Sequence, residues 1–119
     1  MTTCLFCKIV NKQLPSEIVY DADELMVFKD IRPSAPIHLL IVPKMEQRHI
    51  DSVNDLEPED EKMITAMFLA AKKAAKDFGL DETGYKLVFN VGRGGGQLID
   101  HLHLHLLGGW KAGEKRGMP

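Results

Sequence analysis

Three of the chain's five histidines stand at alternate positions in the run His101-Leu102-His103-Leu104-His105-Leu106-Leu107. In an extended strand, successive side chains point to opposite faces. The three imidazoles then share one face. Leu102, Leu104 and Leu106 share the other, which must be the core side. Four steps of roughly 3.3 Å spread the rings over about 13 Å, the span of a small ligand.

Just before this run comes a glycine-rich loop, Gly92-Arg93-Gly94-Gly95-Gly96-Gln97. Glycines let backbone N–H groups approach an anion closely, and successive amides form an anion-binding concavity. The loop matches neither a Walker nor a dinucleotide fingerprint. Beside three histidines it points to a phosphate ester under attack, or to a metal. Two chemistries fit. In one, a neutral imidazole attacks phosphorus and becomes a phospho-histidine, while neighbouring imidazoles and loop amides stabilise the phosphoryl oxygens. In the other, two or three histidines hold a catalytic zinc that activates water. Such metal sites generally add a carboxylate. Asp100 is adjacent, but its position puts it on the leucine side of the strand.

A second constellation is Cys4-Leu5-Phe6-Cys7, a C-x2-C pair and the common half of a structural zinc site. Two reduced cysteines packed as small hydrophobes are the plainer alternative.

The elements that must position these groups follow from the pattern. Leu5, Phe6, Ile9 and Val10 fit a short helix over 4–12. Ile18-Val19-Tyr20 and Leu25-Met26-Val27-Phe28 read as a hairpin. His38 to Val42, between Pro36 and Pro43, reads as a buried strand. Met63, Met67, Ala70, Ala71, Ala74 and Phe78 recur at helical spacing after an acidic start with Pro58, and Gly79 supplies a stop. Tyr85 to Val91 and His101 to Leu107 complete about five strands. One helix among the later strands is too few for an all-parallel sheet. The expectation is an α+β fold, with a mainly antiparallel five-stranded sheet, one long and one short helix, and helices on one face.

Composition narrows the class. At 119 residues, 45% hydrophobic and 27% charged, the chain has one domain's worth of ordinary globular sequence. Fifteen basic against 17 acidic residues leave a net charge of -2, which argues against a nucleic-acid-binding module but not against one bound nucleotide. No apolar run approaches the roughly 18–20 residues of a membrane span. The start lacks a signal-peptide core, so a cytoplasmic, thiol-reducing setting is expected, with no structural disulfide and no membrane partner.

The histidine run resembles the His-φ-His-φ-His-φ-φ signature of the histidine triad (HIT) family. The resemblance extends through Phe28-Lys29-Asp30-Ile31-Arg32-Pro33-Ser34-Ala35-Pro36-Ile37-His38, Leu40 to Lys44, Asn90, Gly95-Gly96-Gln97 and Leu107-Gly108-Gly109, and is closest to the Hint branch. It covers the chain from about Phe6 to Gly109. It implies a single HIT domain over 1–119, with 110–119 as a C-terminal tail. It also implies a homodimer whose two five-stranded sheets join, and hydrolysis of purine nucleoside phosphoramidates such as adenosine 5′-monophosphoramidate.

By the resemblance, His103 is the nucleophile that forms a nucleotidyl-histidine, His105 binds the α-phosphate oxygens, and His38 supports the triad by hydrogen bonding. Asp30 and Ile31 line the ribose and base pocket, and Asn90, Gly96 and Gln97 hold the phosphate and the nucleophilic strand. His101 completes the triad. The segment Arg48-His49-Ile50 is similar to bacterial HIT proteins that bind zinc through two cysteines, this histidine and the first triad histidine. That implies Cys4, Cys7, His49 and His101 as a structural zinc set. Two features depart from the pattern. Leu98 stands where Hint proteins usually carry a serine near the leaving group, and the basic tail differs, with Trp110 and Lys111 candidates for substrate choice.

The expectation is a homodimeric nucleotide hydrolase acting on an AMP or GMP derivative, with structural zinc and no catalytic cofactor. A zinc-dependent hydrolase, a nucleotide-binding regulator with weak turnover and a nucleotidyl transferase are the alternatives.

Overall fold

The computed structural model describes residues 4–111 and Glu114. Helix α1 (Leu5–Val10) is followed by β1 (Ile18–Asp21), β2 (Leu25–Lys29) and β3 (Ile37–Pro43). Two 3-10 turns, Val53–Asp55 and Pro58–Asp60, lead into α2 (Glu61–Asp77). Then come α3 (Leu80–Thr83), β4 (Tyr85–Val88), a 3-10 turn at Arg93–Gly95, and β5 (Leu104–Gly108). The five strands form one sheet in the order β1-β2-β3-β5-β4, and every neighbouring pair is antiparallel.

The central pair sets the site. In the β3–β5 register, Leu40 lies opposite His105 and His38 opposite Leu107, while Leu39 faces Leu106 and Ile41 faces Leu104. Directly opposed residues share a face. His38 and His105 are therefore diagonal neighbours on one side, with Leu40 and Leu107, and Leu39, Ile41, Leu104 and Leu106 sit on the other.

Each side has its own apolar core. Leu102, Leu104 and Leu106 pack with Val27, Leu39 and Ile41 beneath Met67, Ala71, Ala74 and Ala75 of α2. The alanines bring the helix close, and each buried leucine contributes about 2 kcal/mol of transfer free energy. On the opposite side, Phe6, Ile9 and Val10 of α1 pack on Met26, Phe28, Leu40 and Val42. This corrects the expectation of helices on one face. The uninterrupted apolar runs in β2 and β3 belong to strands covered on both sides.

Several boundaries also differ, α1 spanning Leu5–Val10 rather than 4–12. Pro58 opens a 3-10 turn rather than α2, which starts at Glu61. Gly79 ends α2 in the left-handed region (φ 74°), as expected, but α3 follows it directly. β4 stops at Val88 rather than Val91. β5 begins at Leu104, because Leu102 meets a loop rather than a strand: its N–H donates to the carbonyl of Ile50 at 2.9 Å. Of the tail 110–119, only Trp110, Lys111 and Glu114 fall within the described residues. There the Lys86 ammonium lies over the Trp110 ring, 5.4 Å from its centre.

Candidate active site

The histidine run keeps its alternation even where the ladder has not begun. Phe6, at the start of α1, stands edge-on to both His101 and His103, with ring centres 6.0 and 4.9 Å away. His103 meets His105 at 4.8 Å, and His105 meets His38 at 5.2 Å. The rings share a face but not an environment. His101 is wholly buried, His103 and His38 are nearly so, and His105 is half-buried.

Hydrogen-bond partners assign the protons on these rings. A backbone carbonyl only accepts, so Nδ1 of His103 carries a proton and donates to the carbonyl of His101 at 2.7 Å. That leaves Nε2 of His103 with a free lone pair. At His38 the logic reverses. The N–H of Ser34 donates to its Nδ1 at 3.0 Å, so Nε2 carries the proton and donates to Nδ1 of His105 at 2.9 Å. His105 in turn presents a protonated Nε2. One ring thus offers a nucleophilic nitrogen, and its neighbour offers a donor for an anionic oxygen.

Burial keeps these rings neutral. It holds the pKa of His103 below the usual imidazole value. It drives His105 down to about 4, with the neighbouring His103 and His38 adding to the effect. Burial also lowers His38, although the Asp30 carboxylate, 3.5 Å from its Nε2, opposes this. A neutral His103 keeps its lone pair at working pH.

Asp30, His38 and His105 could be read as a metal triad, since their ligand atoms lie within 4.8 Å of one another. The proton assignment argues against it. Nδ1 of His38 is occupied by Ser34 and Nε2 bears its hydrogen. Asp30 also accepts from the N–H of Arg32 at 2.8 Å, so its carboxylate shapes the turn before Pro33.

The glycine loop is built from inside. The Gln97 side chain is buried and fully used: its Oε1 accepts from the N–H of Gly92 at 2.9 Å, and its Nε2 donates to the carbonyls of Asp51 (2.5 Å) and Ile99 (2.9 Å). Asn90 donates to the carbonyl of Gly95 at 2.9 Å. Gly96 takes the left-handed conformation (φ 88°) beside Asn90. These contacts shape the loop, and the amides of Gly95, Gly96 and Gln97 close it by donating to the carbonyls of Gly92 and Arg93 at 3.0–3.1 Å. Ile31 and Leu98, 84% and 81% exposed, are apolar side chains open to solvent.

The second cluster brings Cys4, Cys7, His49 and His101 together, with ligand atoms within 4.8 Å of one another. Cys4 caps α1, and its Sγ accepts from the N–H of Cys7 at 3.3 Å. The two sulfurs lie 3.3 and 3.4 Å from Nδ1 of His101. Nε2 of His101 donates to the carbonyl of Pro43 at 2.8 Å, so Nδ1 holds the free lone pair. His49 donates from Nδ1 to the Asp51 carboxylate at 2.9 Å, which leaves its Nε2 free. Two sulfurs and two unprotonated nitrogens suit zinc, whose tetrahedral ligand atoms sit about 3.3–3.8 Å apart. Burial lowers the pKa of His101 to about 4, so its lone pair is not lost to a proton.

A family profile described as "Scavenger mRNA decapping enzyme C-term binding" matches residues 3–117. The chain is 44% identical over 105 residues to the purine nucleoside phosphoramidase of Escherichia coli (strain K12), covering 88% of this chain and 86% of that protein. The chain belongs to the histidine triad family. Among solved structures, a HIT family hydrolase from Legionella pneumophila is 48% identical, with a TM-score of 0.87 over 92% of this chain and 95% of that one. A zinc-bound histidine triad protein from Mycobacterium smegmatis is 30% identical, with a TM-score of 0.77 over 95% and 78% of the two chains.

Sequence reasoning missed several parts of this histidine triad site. Phe6 against the rings, the Ser34 amide and the Pro43 carbonyl are long-range or backbone partners that leave no local pattern. Asp51 had a signal, a carboxylate two residues after a candidate ligand histidine. Asp100 lies before the ladder, where it pairs with Arg93 through two 2.9 Å bonds instead of joining the leucine side. Arg93 also donates to the carbonyl of Gln97 at 2.7 Å, so opposite charges bracket and close the loop.

Proposed function

We propose that this chain, a hydrolase of the histidine triad family, cleaves purine nucleoside phosphoramidates or related α-phosphate bonds through a nucleotidyl-histidine at His103. The proton assignment carries the reading: His103 has a bare Nε2 beside a protonated Nε2 on His105. In the first step the lone pair of His103 Nε2 forms a bond to the α-phosphorus, and the bond to the leaving amine breaks. The amine takes up a proton from solvent as it departs. The His103 ring becomes cationic, and the carbonyl of His101 stabilises it through Nδ1–H. His105, held by His38, donates to an α-phosphate oxygen. In the second step water adds its oxygen to phosphorus and gives up a proton to solvent as the bond to His103 breaks, releasing the nucleotide and restoring the neutral ring.

In the same reading Asp30 and Ile31 receive the ribose and base, while Asn90, Gly96 and Gln97 shape the phosphate seat. His101 contributes its carbonyl to the chemistry and its ring to the metal set. Cys4, Cys7, His49 and His101 hold a structural zinc, which would tie α1 to the sheet when bound. No catalytic metal is needed. Two copies join along a sheet edge, for which the outer sides of β1 and β4 offer unpaired backbone. Two cysteines that form no disulfide among the described residues suit the cytoplasm, and among the described residues no helix is long and apolar enough to cross a membrane.

The test is to quench a reaction with phosphorus-labelled adenosine 5′-monophosphoramidate and map the label. Label on His103, and lost turnover with retained AMP binding in His103→Ala, support the reading. Full turnover in His103→Ala overturns it. A binding-only role draws support from Leu98, which has no hydrogen bond for a departing amine. It predicts AMP binding with no labelled enzyme.

A further inference from the structure

The tripeptide His49-Ile50-Asp51 touches both functional clusters. His49 belongs to the metal set. The carbonyl of Ile50 accepts from Leu102, the residue between His101 and His103, at 2.9 Å. Asp51 then works at both of its ends. Its carboxylate accepts from Nδ1 of His49 at 2.9 Å. Its backbone carbonyl accepts from Nε2 of Gln97 at 2.5 Å. Gln97 is the buried side chain around which the glycine loop closes, through Gly92 on one side and Ile99 on the other.

Each end has a distinct effect. A carboxylate on Nδ1 fixes the histidine tautomer, turns the ring and raises the basicity of Nε2. Fixing Gln97 fixes the Gly92 amide and the loop that follows. The two ends belong to one residue, so a shift of His49 on metal binding moves the anchor of Gln97 by the same backbone. We propose that Asp51 is a positioning residue that joins the metal cluster to the phosphate loop, so that zinc and the nucleotide phosphate bind cooperatively. The proposal rests on the zinc and phosphate-loop readings above and adds the link between them.

Linkage gives a test that does not depend on turnover. If zinc strengthens nucleotide binding, the nucleotide strengthens zinc binding by the same factor. Zinc affinity is measured by competition with a chromophoric chelator, with and without saturating AMP, in the full chain and in Asp51→Ala and Asp51→Asn. In the wild type, AMP tightens zinc binding about fivefold or more, the lower end of ordinary coupling. Asp51→Ala weakens zinc by about tenfold or more, the usual loss for such an orienting carboxylate. It also shrinks the AMP effect to less than about twofold, because the His49 ring no longer follows the loop. Asp51→Asn keeps an acceptor oxygen and falls between the two. If Asp51→Ala does not fold, the wild-type pair of titrations decides the coupling and Asp51→Asn decides the part of Asp51. An equal AMP effect in wild type and variants overturns the proposal, because coupling then runs through His101. So does a wild type that binds zinc tightly with no response to AMP, and in that case the zinc reading stands. A wild type that binds no zinc overturns both.

Discussion

The carbonyl of His101 accepts the Nδ1–H of His103 at 2.7 Å, while the ring of His101 lies 3.3 and 3.4 Å from the two cysteine sulfurs. One residue therefore serves two sites, by its backbone and by its side chain. In the proposed reading the Cys4, Cys7, His49 and His101 set is structural and still reaches His103, the proposed nucleophile. It fixes where the carbonyl points, and the carbonyl fixes which nitrogen of His103 is bare.

Removal of the metal should therefore cost stability first. Cys4→Ala takes one sulfur from the set and the side-chain acceptor from the cap of α1. Caps alone are worth about 1 kcal/mol. The expected result is loss of tightly bound zinc, a fall in melting temperature of several degrees or more, and a smaller proportional fall in kcat at 25 °C. Metal analysis and calorimetry on the same sample check this. Full zinc retention in Cys4→Ala would remove that residue from the set.

His38 sets the tautomer of His105, so its loss should act on rate more than on binding. His38→Phe keeps a flat ring but withdraws the donor to Nδ1 of His105, 2.9 Å away. The His105 proton can then reside on either nitrogen. We expect kcat to drop by roughly tenfold or more, within the range of orienting interactions in general acid–base catalysis, with little change in AMP affinity. His38→Gln offers a replacement donor and should recover part of the rate. Equal losses in both variants would show that His38 acts by packing alone.

Acid should destabilise the fold earlier than its carboxylates require. His105 has a folded-state pKa near 4, and that of His38 is also below 6.5. The unfolded chain holds these protons more tightly than the folded one. Stability is therefore fully present above about pH 6.5 and falls as the pH drops toward 4, by up to about 1.4 kcal/mol per pH unit from His105, with His38 adding in the same direction. Urea melts between pH 7.5 and 4.5 should show this slope. Replacing His105 with glutamine should make the slope shallower, with the remainder carried by His38, His101 and His103, and an unchanged slope in that variant would remove His105 from the titration.

The alternation of His101 to Leu107 was legible because period two needs only the strand itself. So were the α2 stripe and its stop at Gly79, where composition and periodicity agree. The covering of both sheet faces was written in the unbroken runs Leu25 to Phe28 and Leu39 to Val42. It was obscured by the helical count, since α1 is short enough to look like a terminal decoration. The start of β5 was not legible, because whether Leu102 pairs with a strand or with Ile50 depends on a loop about 50 residues away in sequence. The Cys4–Cys7 pair offered half of a zinc ligand set, but the other two ligands came only from resemblance. The roles of Asp51, and of Arg93 with Asp100, rest on side chains meeting across loops. Charge placement alone does not determine such meetings.

Gly96 should tolerate little. Its φ of 88° is strained for any L side chain, although a Cβ there would find only the Asn90 amide at 3.7 Å. The cost of Gly96→Ala is thus conformational rather than steric, on the order of 1 kcal/mol. Relief of that strain would move the loop and its amides. The expected outcome is a several-fold rise in KM with a modest loss of stability. Wild-type KM in this variant would show that the phosphate seat does not include this turn.

Gly108 provides the contrasting case, where space rather than dihedral angle decides. It lies opposite Tyr85 in the β4–β5 register, at the far end of β5 from His103. A Cβ on Gly108 would sit 2.9 and 3.2 Å from the Leu80 methyls and 3.2 Å from Cβ of Tyr85. The leucine methyls can turn aside, but the Tyr85 Cβ is fixed to the neighbouring strand and cannot. Overpacking of this kind costs about 1–3 kcal/mol. Gly108→Ala should lower the melting temperature by about 4 °C or more and leave kcat and KM near wild type at 25 °C, because β5 stays paired on both sides at His105. If the variant instead lost turnover while keeping its melting temperature, the end of β5 would belong to the site rather than to its frame.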